Sequence, residues 1–272
     1  MEFYQQKFEQ LSLEVKHKHQ LWIKLENESM SNAITLPMID SLVRVLGHAD
    51  FDSNIRVIVL TGSGKNFCAG GDVKAMMQKS GMFEGESNEL RMRYMHGIQR
   101  IPKAIEDLST PIIAMVNGAA IGAGCDLSMM CDLRIGSELS RFGETFTNIG
   151  LVPGDGGTFF LTRVLGFSKA MQMTLTSEIF TGEKAYQFGL LNFIYPHDQL
   201  ENETFKLATT ITFQAPVAQA MSKKALKFSY QHDLHSSLDL LASFQGITQR
   251  THDHFEALTS KIEKRESNFK SK

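Results

Sequence analysis

Two apolar runs, each closed by a glycine turn, constrain this chain most. Residues 55–62 (IRVIVLTG) form an almost unbroken aliphatic, β-branched stretch. Residues 111–116 (PIIAMV) repeat the pattern and end at Asn117-Gly118. A short apolar run with no polar alternation is buried on both faces, the mark of a parallel strand covered by helices. Residues 133–137 (LRIGS) read as a third such strand, and 11–26 as two short alternating strands joined near His17–His19. Thr35 is placed to N-cap a helix from about Leu36 to Leu46, where Met38, Leu42 and Leu46 recur at helical spacing. Residues 87–108 look like one long helix. Strands and helices alternating in this way predict an α/β fold with a parallel sheet.

After about residue 157 the pattern turns mostly helical, with segments near 198–211, 215–230 and 236–266. The expected organisation is a core over 1–200 and a C-terminal helical region over 201–272, with no internal repeat. A length of 272 residues accommodates both.

Charge narrows the function classes. Lys plus Arg number 28 against 30 Asp plus Glu, so nothing draws the whole chain to nucleic acid or an anionic membrane. The basic run 261–272 reads as a solvated face. The three cysteines, Cys68, Cys125 and Cys131, are odd in number and contain no C-x-x-C pair. That argues against a disulfide framework or a zinc ribbon and for a reducing compartment. The first residues lack an apolar core behind positive charge, and no stretch is apolar enough to span a bilayer. A cytoplasmic location is the expectation.

The chemistry is expected at the two turns behind the buried strands. They are Ala69-Gly70-Gly71-Asp72 and Gly118-Ala119-Ala120-Ile121-Gly122-Ala123-Gly124-Cys125-Asp126. Small residues let a ligand approach the backbone, and each turn leads into a helix whose first N–H groups lack partners. Two such groups aimed at one point hold a carbonyl oxygen as it becomes an oxyanion. Tight packing alone explains either turn singly; two together favour a site. Neither turn fits the spacing of a dinucleotide fingerprint or a phosphate loop.

These segments resemble the crotonase superfamily, the enoyl-CoA hydratase/isomerase family. The resemblance runs through FCAGGDV (67–73), VNGAAIGAGCDLSMMCDLRI (116–135), RFGETFTNIGLVPGDGGTFFLTRVLG (141–166) and LTSEIFTGEKAYQFGLLNFIYP (175–196). It implies a crotonase-like spiral of ββα units, with C-terminal helices that build a homotrimer or a dimer of trimers. It implies an acyl-CoA thioester as substrate, with coenzyme A part of that substrate and no separate cofactor or metal. The backbone N–H groups of Gly71 and Ala123 match the oxyanion positions. Ala69 resembles the residue whose backbone meets the CoA adenine, and Asp72, Gly122 and Phe146 fall among the substrate-binding positions.

The chain departs from the family pattern at the acids. Hydratases of this type use two glutamates; here the first position holds Asp126 and the second Phe146. Glu144 and Asp155 lie close enough in sequence to supply carboxylates instead. Each acid also has a plain structural reading: Asp126 as a helix-dipole acid, Glu144 as a residue that caps or solvates the turn after Phe142-Gly143, Asp155 as a cap of a helix over 157–166. Phe146, Phe159 and Phe160 read as lining of the acyl pocket or the core. Cys68 reads as a packed thiol, and His252 and His254, at i and i+2, as a solvated helix surface. Besides the hydratase/isomerase reading, the same fold accommodates a CoA-thioester hydrolase, decarboxylase or dehalogenase, or a non-catalytic acyl-CoA-binding scaffold.

Overall fold

The computed structural model describes residues 1–272. Strands β1 (Leu11–Lys16) and β2 (Gln20–Leu25) form an antiparallel hairpin. Helix α1 (Leu36–Phe51) follows, capped by Thr35, whose hydroxyl accepts from Met38 N–H at 3.3 Å. Every residue of β3 (Val57–Gly62) and β4 (Ile112–Val116) is buried, as their unbroken apolar runs require. With β6 (Leu133–Ser137) and β9 (Phe193–Tyr195) they complete a six-stranded sheet in the order β1-β2-β3-β4-β6-β9, parallel from β2 onward.

Side-chain alternation divides the core between the two faces of this sheet. Ile58, Leu60, Ile112 and Ala114 point into the larger core, which α1 closes with Met38, Ile39, Leu42, Val45 and Leu46. Val57, Val59, Ile113 and Met115 point the other way, where Leu200 and Ala208 of a later helix (Leu200–Thr212) cover them.

A second sheet carries the site. It contains β5 (Ala119–Ile121), β7 (Arg141–Gly143) and β8 (Ile179–Thr181). Cys68 joins its edge by a parallel bridge to Ala120. The chain therefore repeats one unit three times: a strand in the large sheet, a short segment in the small sheet, then a helix. The units are β3, Cys68 and α2 (Val73–Gln78); β4, β5 and α5 (Ala123–Met130); β6, β7 and α6 (Gly157–Leu165). This is the spiral of ββα units.

Two long helices expected from the sequence are each broken. Residues 87–108 divide into α3 (Ser87–His96) and α4 (Arg100–Asp107). Gly97 leaves helical geometry at φ −107° and ψ −109°. Pro102 adds a reason, because its ring is tolerated only in the first turn of a helix. The remaining helices are α7 (Phe167–Thr176), α8 (Gly182–Phe188), α9 (Leu200–Thr212), α10 (Pro216–Gln231), α11 (Leu234–Thr248) and α12 (His252–Glu263). The expected segment 236–266 is split between α11 and α12 because Thr251 caps a new start, accepting from His254 N–H at 3.1 Å.

Candidate active site

The two turns meet through the Cys68 bridge. Cys68 N–H donates to Ala119 O at 2.9 Å, and Ile121 N–H donates to Cys68 O at 3.0 Å. A methyl group built on Gly124 would lie 1.9 Å from Cys68 O, and one built on Gly70 would lie 3.2 Å from Ala123 N. Only glycines permit this contact. Gly122, at φ 53° and ψ −123°, turns the chain into α5 through a conformation that other residues resist.

The meeting brings the Gly70-Gly71 turn against the start of α5, where two N–H groups stay outside the backbone ladder. The first helical bond of α5 runs from Asp126 N–H to Gly122 O at 3.0 Å, so Ala123 N–H precedes the ladder. Gly71 N–H, one residue past Gly70, makes no backbone hydrogen bond. Ala69 is half-buried, its N–H donating to Ser31 O at 3.0 Å. The Asp72 carboxylate is occupied as the cap of α2, accepting from Lys74 and Ala75 N–H.

Beside this pair lie three buried carboxyl groups from three elements. Asp126 comes from the first turns of α5, Glu144 from the end of β7, and Asp155 from the loop before α6. Asp126 and Glu144 are fully buried and Asp155 is 2% exposed. The plain readings of the latter two therefore fail. Glu144 is not a solvated turn residue, and the α6 N-cap is Gly156, with no side-chain cap. Asp126 is seated against glycine as well, since a methyl group built on Gly157 would lie 2.1 Å from its Oδ1.

Asp126 is the centre of the cluster, within hydrogen-bonding reach of both Asp155 and Glu144. Nothing else serves them: both Asp126 oxygens, both Glu144 oxygens and Asp155 Oδ1 are buried with no other partner. Asp155 Oδ2 is the one oxygen of the six not sealed in this way. Three carboxyl groups packed together do not all ionise. Burial, then the charges of Asp155 and Glu144, hold Asp126 protonated well above the usual carboxylate range. Burial pushes Glu144 up to about 7, against the hydrogen bond from Asp126. Asp155 is raised too, again by burial, with Asp126 and its own backbone opposing.

Aromatic and thioether groups border the two N–H groups. Phe146 is half-buried, its ring 3.8 Å from a methyl group built on Gly122. Met76 Cε would lie 2.6 Å from one built on Gly71. Tyr94 of α3 packs its ring on Gly154, 3.2 Å from a built methyl group. The sequence does not flag Tyr94 or Met76; α3 has no buried residue and no apolar stripe. Phe160 is buried in the core, but Phe159 is not: it is 37% exposed, with the Arg163 guanidinium over its ring at 3.3 Å. Burial pushes the Cys68 thiol up to about 12, which makes it a packed, unreactive group. No group of three or more His, Cys, Asp or Glu side chains is arranged to hold a metal ion. Two clefts of about 520 and 660 Å³ flank α10, and neither is lined by the three acids.

Two backbone N–H groups outside the hydrogen-bond ladder and three buried carboxyl groups make up this candidate site. Sequence and fold comparisons give the family. The profile described as Enoyl-CoA hydratase/isomerase matches residues 18–272, and the chain belongs to that family. It is 34% identical over 237 residues to the short-chain-enoyl-CoA hydratase of Clostridium acetobutylicum, covering 86% of this chain and 87% of that one. It is 32% identical over 252 residues to the 2,3-dehydroadipyl-CoA hydratase of Escherichia coli, covering 93% and 95%. The crystal structure of an enoyl-CoA hydratase from Bacillus anthracis superposes with a TM-score of 0.91 at 30% identity, covering 97% of this chain and all of that one.

Proposed function

We propose that the chain acts on an enoyl-CoA thioester, with Gly71 and Ala123 N–H holding the thioester oxygen as an enolate. Asp126, Asp155 and Glu144 move the protons. The observation that carries this reading is the meeting of two unpaired N–H groups with a buried acid cluster at the start of one helix. Charge moves onto the thioester oxygen when a proton leaves or joins the carbon chain, and both donors strengthen their hold at that moment. Losing one such donor costs roughly 3–4 kcal/mol in a well-studied protease. Ala69, Asp72, Gly122 and Phe146 border the bound thioester, Asp72 indirectly by fixing α2. Coenzyme A arrives as part of the substrate, and the reaction draws on no separate cofactor.

Asp155 presents the proton, because it alone of the three acids retains exposed surface, 2%. Asp126 and Glu144 behind it store and return protons. Phe146 offers no second carboxylate to hold water on the far side of the double bond, which favours shifting that bond over hydrating it. The apolar C-terminal helices support a homotrimer or dimer of trimers: Leu226, Leu234, Leu238 and Ile262 are all more than half exposed. No helix is long and apolar enough to cross a membrane, and a cytoplasmic location belongs to the same proposal.

The test is a panel of trans-2-enoyl-CoA and 3-enoyl-CoA esters, followed by mass spectrometry in H₂O and D₂O. A double-bond shift or gain of one water, lost in Asp155→Ala and Asp126→Ala, is the expected result. Release of free CoA or carbon dioxide from other thioesters, with the enoyl esters untouched, refutes it.

A further inference from the structure

We propose that Tyr94 is a positioning residue of this site, its phenol O–H serving as the hydrogen-bond donor to Asp155 once that carboxyl gives up its proton. The inference rests on the acid–base reading above and adds a residue to it.

Asp155 needs such a donor. Its carboxyl faces Asp126 from α5 and Glu144 from the end of β7, both acids. Cys68 and Cys125 lie on the core side, fully buried and close enough to feel its charge. Neither thiol is a strong donor. When Asp155 ionises, only the proton on Asp126 and its own backbone N–H stabilise the new charge on the core side.

Tyr94 stands on the other side. Its ring lies on Gly154, the residue next to Asp155, with Cε1 the nearest atom at 3.2 Å from a built methyl group. Cε1 adjoins the carbon that bears the hydroxyl. The ring is half-buried against the core, and the phenol feels the Asp155 charge but forms no hydrogen bond within the protein. The other buried-side tyrosine, Tyr4, donates to Asp52 at 3.1 Å. Gln99 fixes the register between the two segments. Its side-chain amide donates to Gly154 O at 2.7 Å and its backbone N–H donates to Tyr94 O at 3.1 Å. Helix α3 has no buried residue, and Tyr94 is its half-buried contact with Gly154.

Tyr94→Phe keeps the ring on Gly154 and removes only the O–H. A donor to the carboxylate favours its ionised form, so removing it strengthens Asp155 as a proton holder. The expected result is a roughly tenfold fall in kcat with KM changed less than about twofold, the size of one charge-assisted hydrogen bond. The limb of the pH profile that reports the acid should move to higher pH. Tyr94→Leu, which also removes the ring contact, should raise KM as well. In an Asp155→Asn background, Tyr94→Phe should have no further effect. Wild-type kcat and an unmoved pH profile in Tyr94→Phe overturn the proposal, provided Asp155→Asn is slowed but retains measurable activity. If Asp155→Asn itself keeps full activity, the acid–base reading falls with it. An equal loss from Tyr94→Phe in both backgrounds assigns the residue a packing role and also overturns the proposal.

Discussion

Replacing Glu144 with glutamine should remove a pH dependence from the stability of the fold. The folded protein holds the Glu144 proton up to about pH 7, whereas an unfolded chain releases it near the ordinary value of 4.5. Between those values the folded state binds more protons than the unfolded state. The stabilisation is therefore complete below pH 4.5 and is lost as pH rises toward 7. At about 1.4 kcal/mol per pH unit of proton affinity, the loss is on the order of 3 kcal/mol. Glutamine has the same shape, never ionises and still offers a hydrogen bond to Asp126. Glu144→Gln should match the wild type near pH 4.5 and exceed it by about 3 kcal/mol at pH 8. The assay is equilibrium urea unfolding at fixed protein concentration from pH 4.5 to 8.5. The single tryptophan, Trp22, is buried and reports it. A wild-type stability that rises with pH over this range, or a glutamine variant with the wild-type slope, refutes the reasoning.

Two further outcomes follow from single contacts. Gly157→Ala places a methyl group 2.1 Å from Asp126 Oδ1, so the acid must move; turnover should fall by at least about tenfold while the circular dichroism stays native. Asp253→Ala removes the acceptor of Lys270 N–H at 2.7 Å and Ser271 N–H at 2.8 Å. It should cost about 2–4 kcal/mol and expose residues 268–272 to hydrogen exchange, and slow exchange there would count against this tail contact.

The turns were legible because their signals are local. Runs such as 55–62 and 111–116 state their burial in their own composition, and a glycine behind each states where the backbone turns. The same holds for Thr35, which caps α1 from within the sequence. The break at Gly97 was legible in principle, since Pro102 forbids a helix that began a turn earlier. Tyr94 carried no signal, because α3 is polar all round and only its packing on Gly154 distinguishes it.

The sequence by itself determined the α/β class, the two glycine turns and the set of acids from which the site is drawn. The tertiary structure decided which of them meet. Asp126, Glu144 and Asp155 lie on a helix, a strand end and a loop, and their burial as one cluster depends on the register of Cys68, β5 and β7. A shift of one residue on a strand moves a side chain from inside to outside, so no local pattern could place Glu144 inward or Phe159 outward. The same assembly seals Asp126 and Glu144 completely and leaves Asp155 2% exposed, and that choice belongs to packing alone.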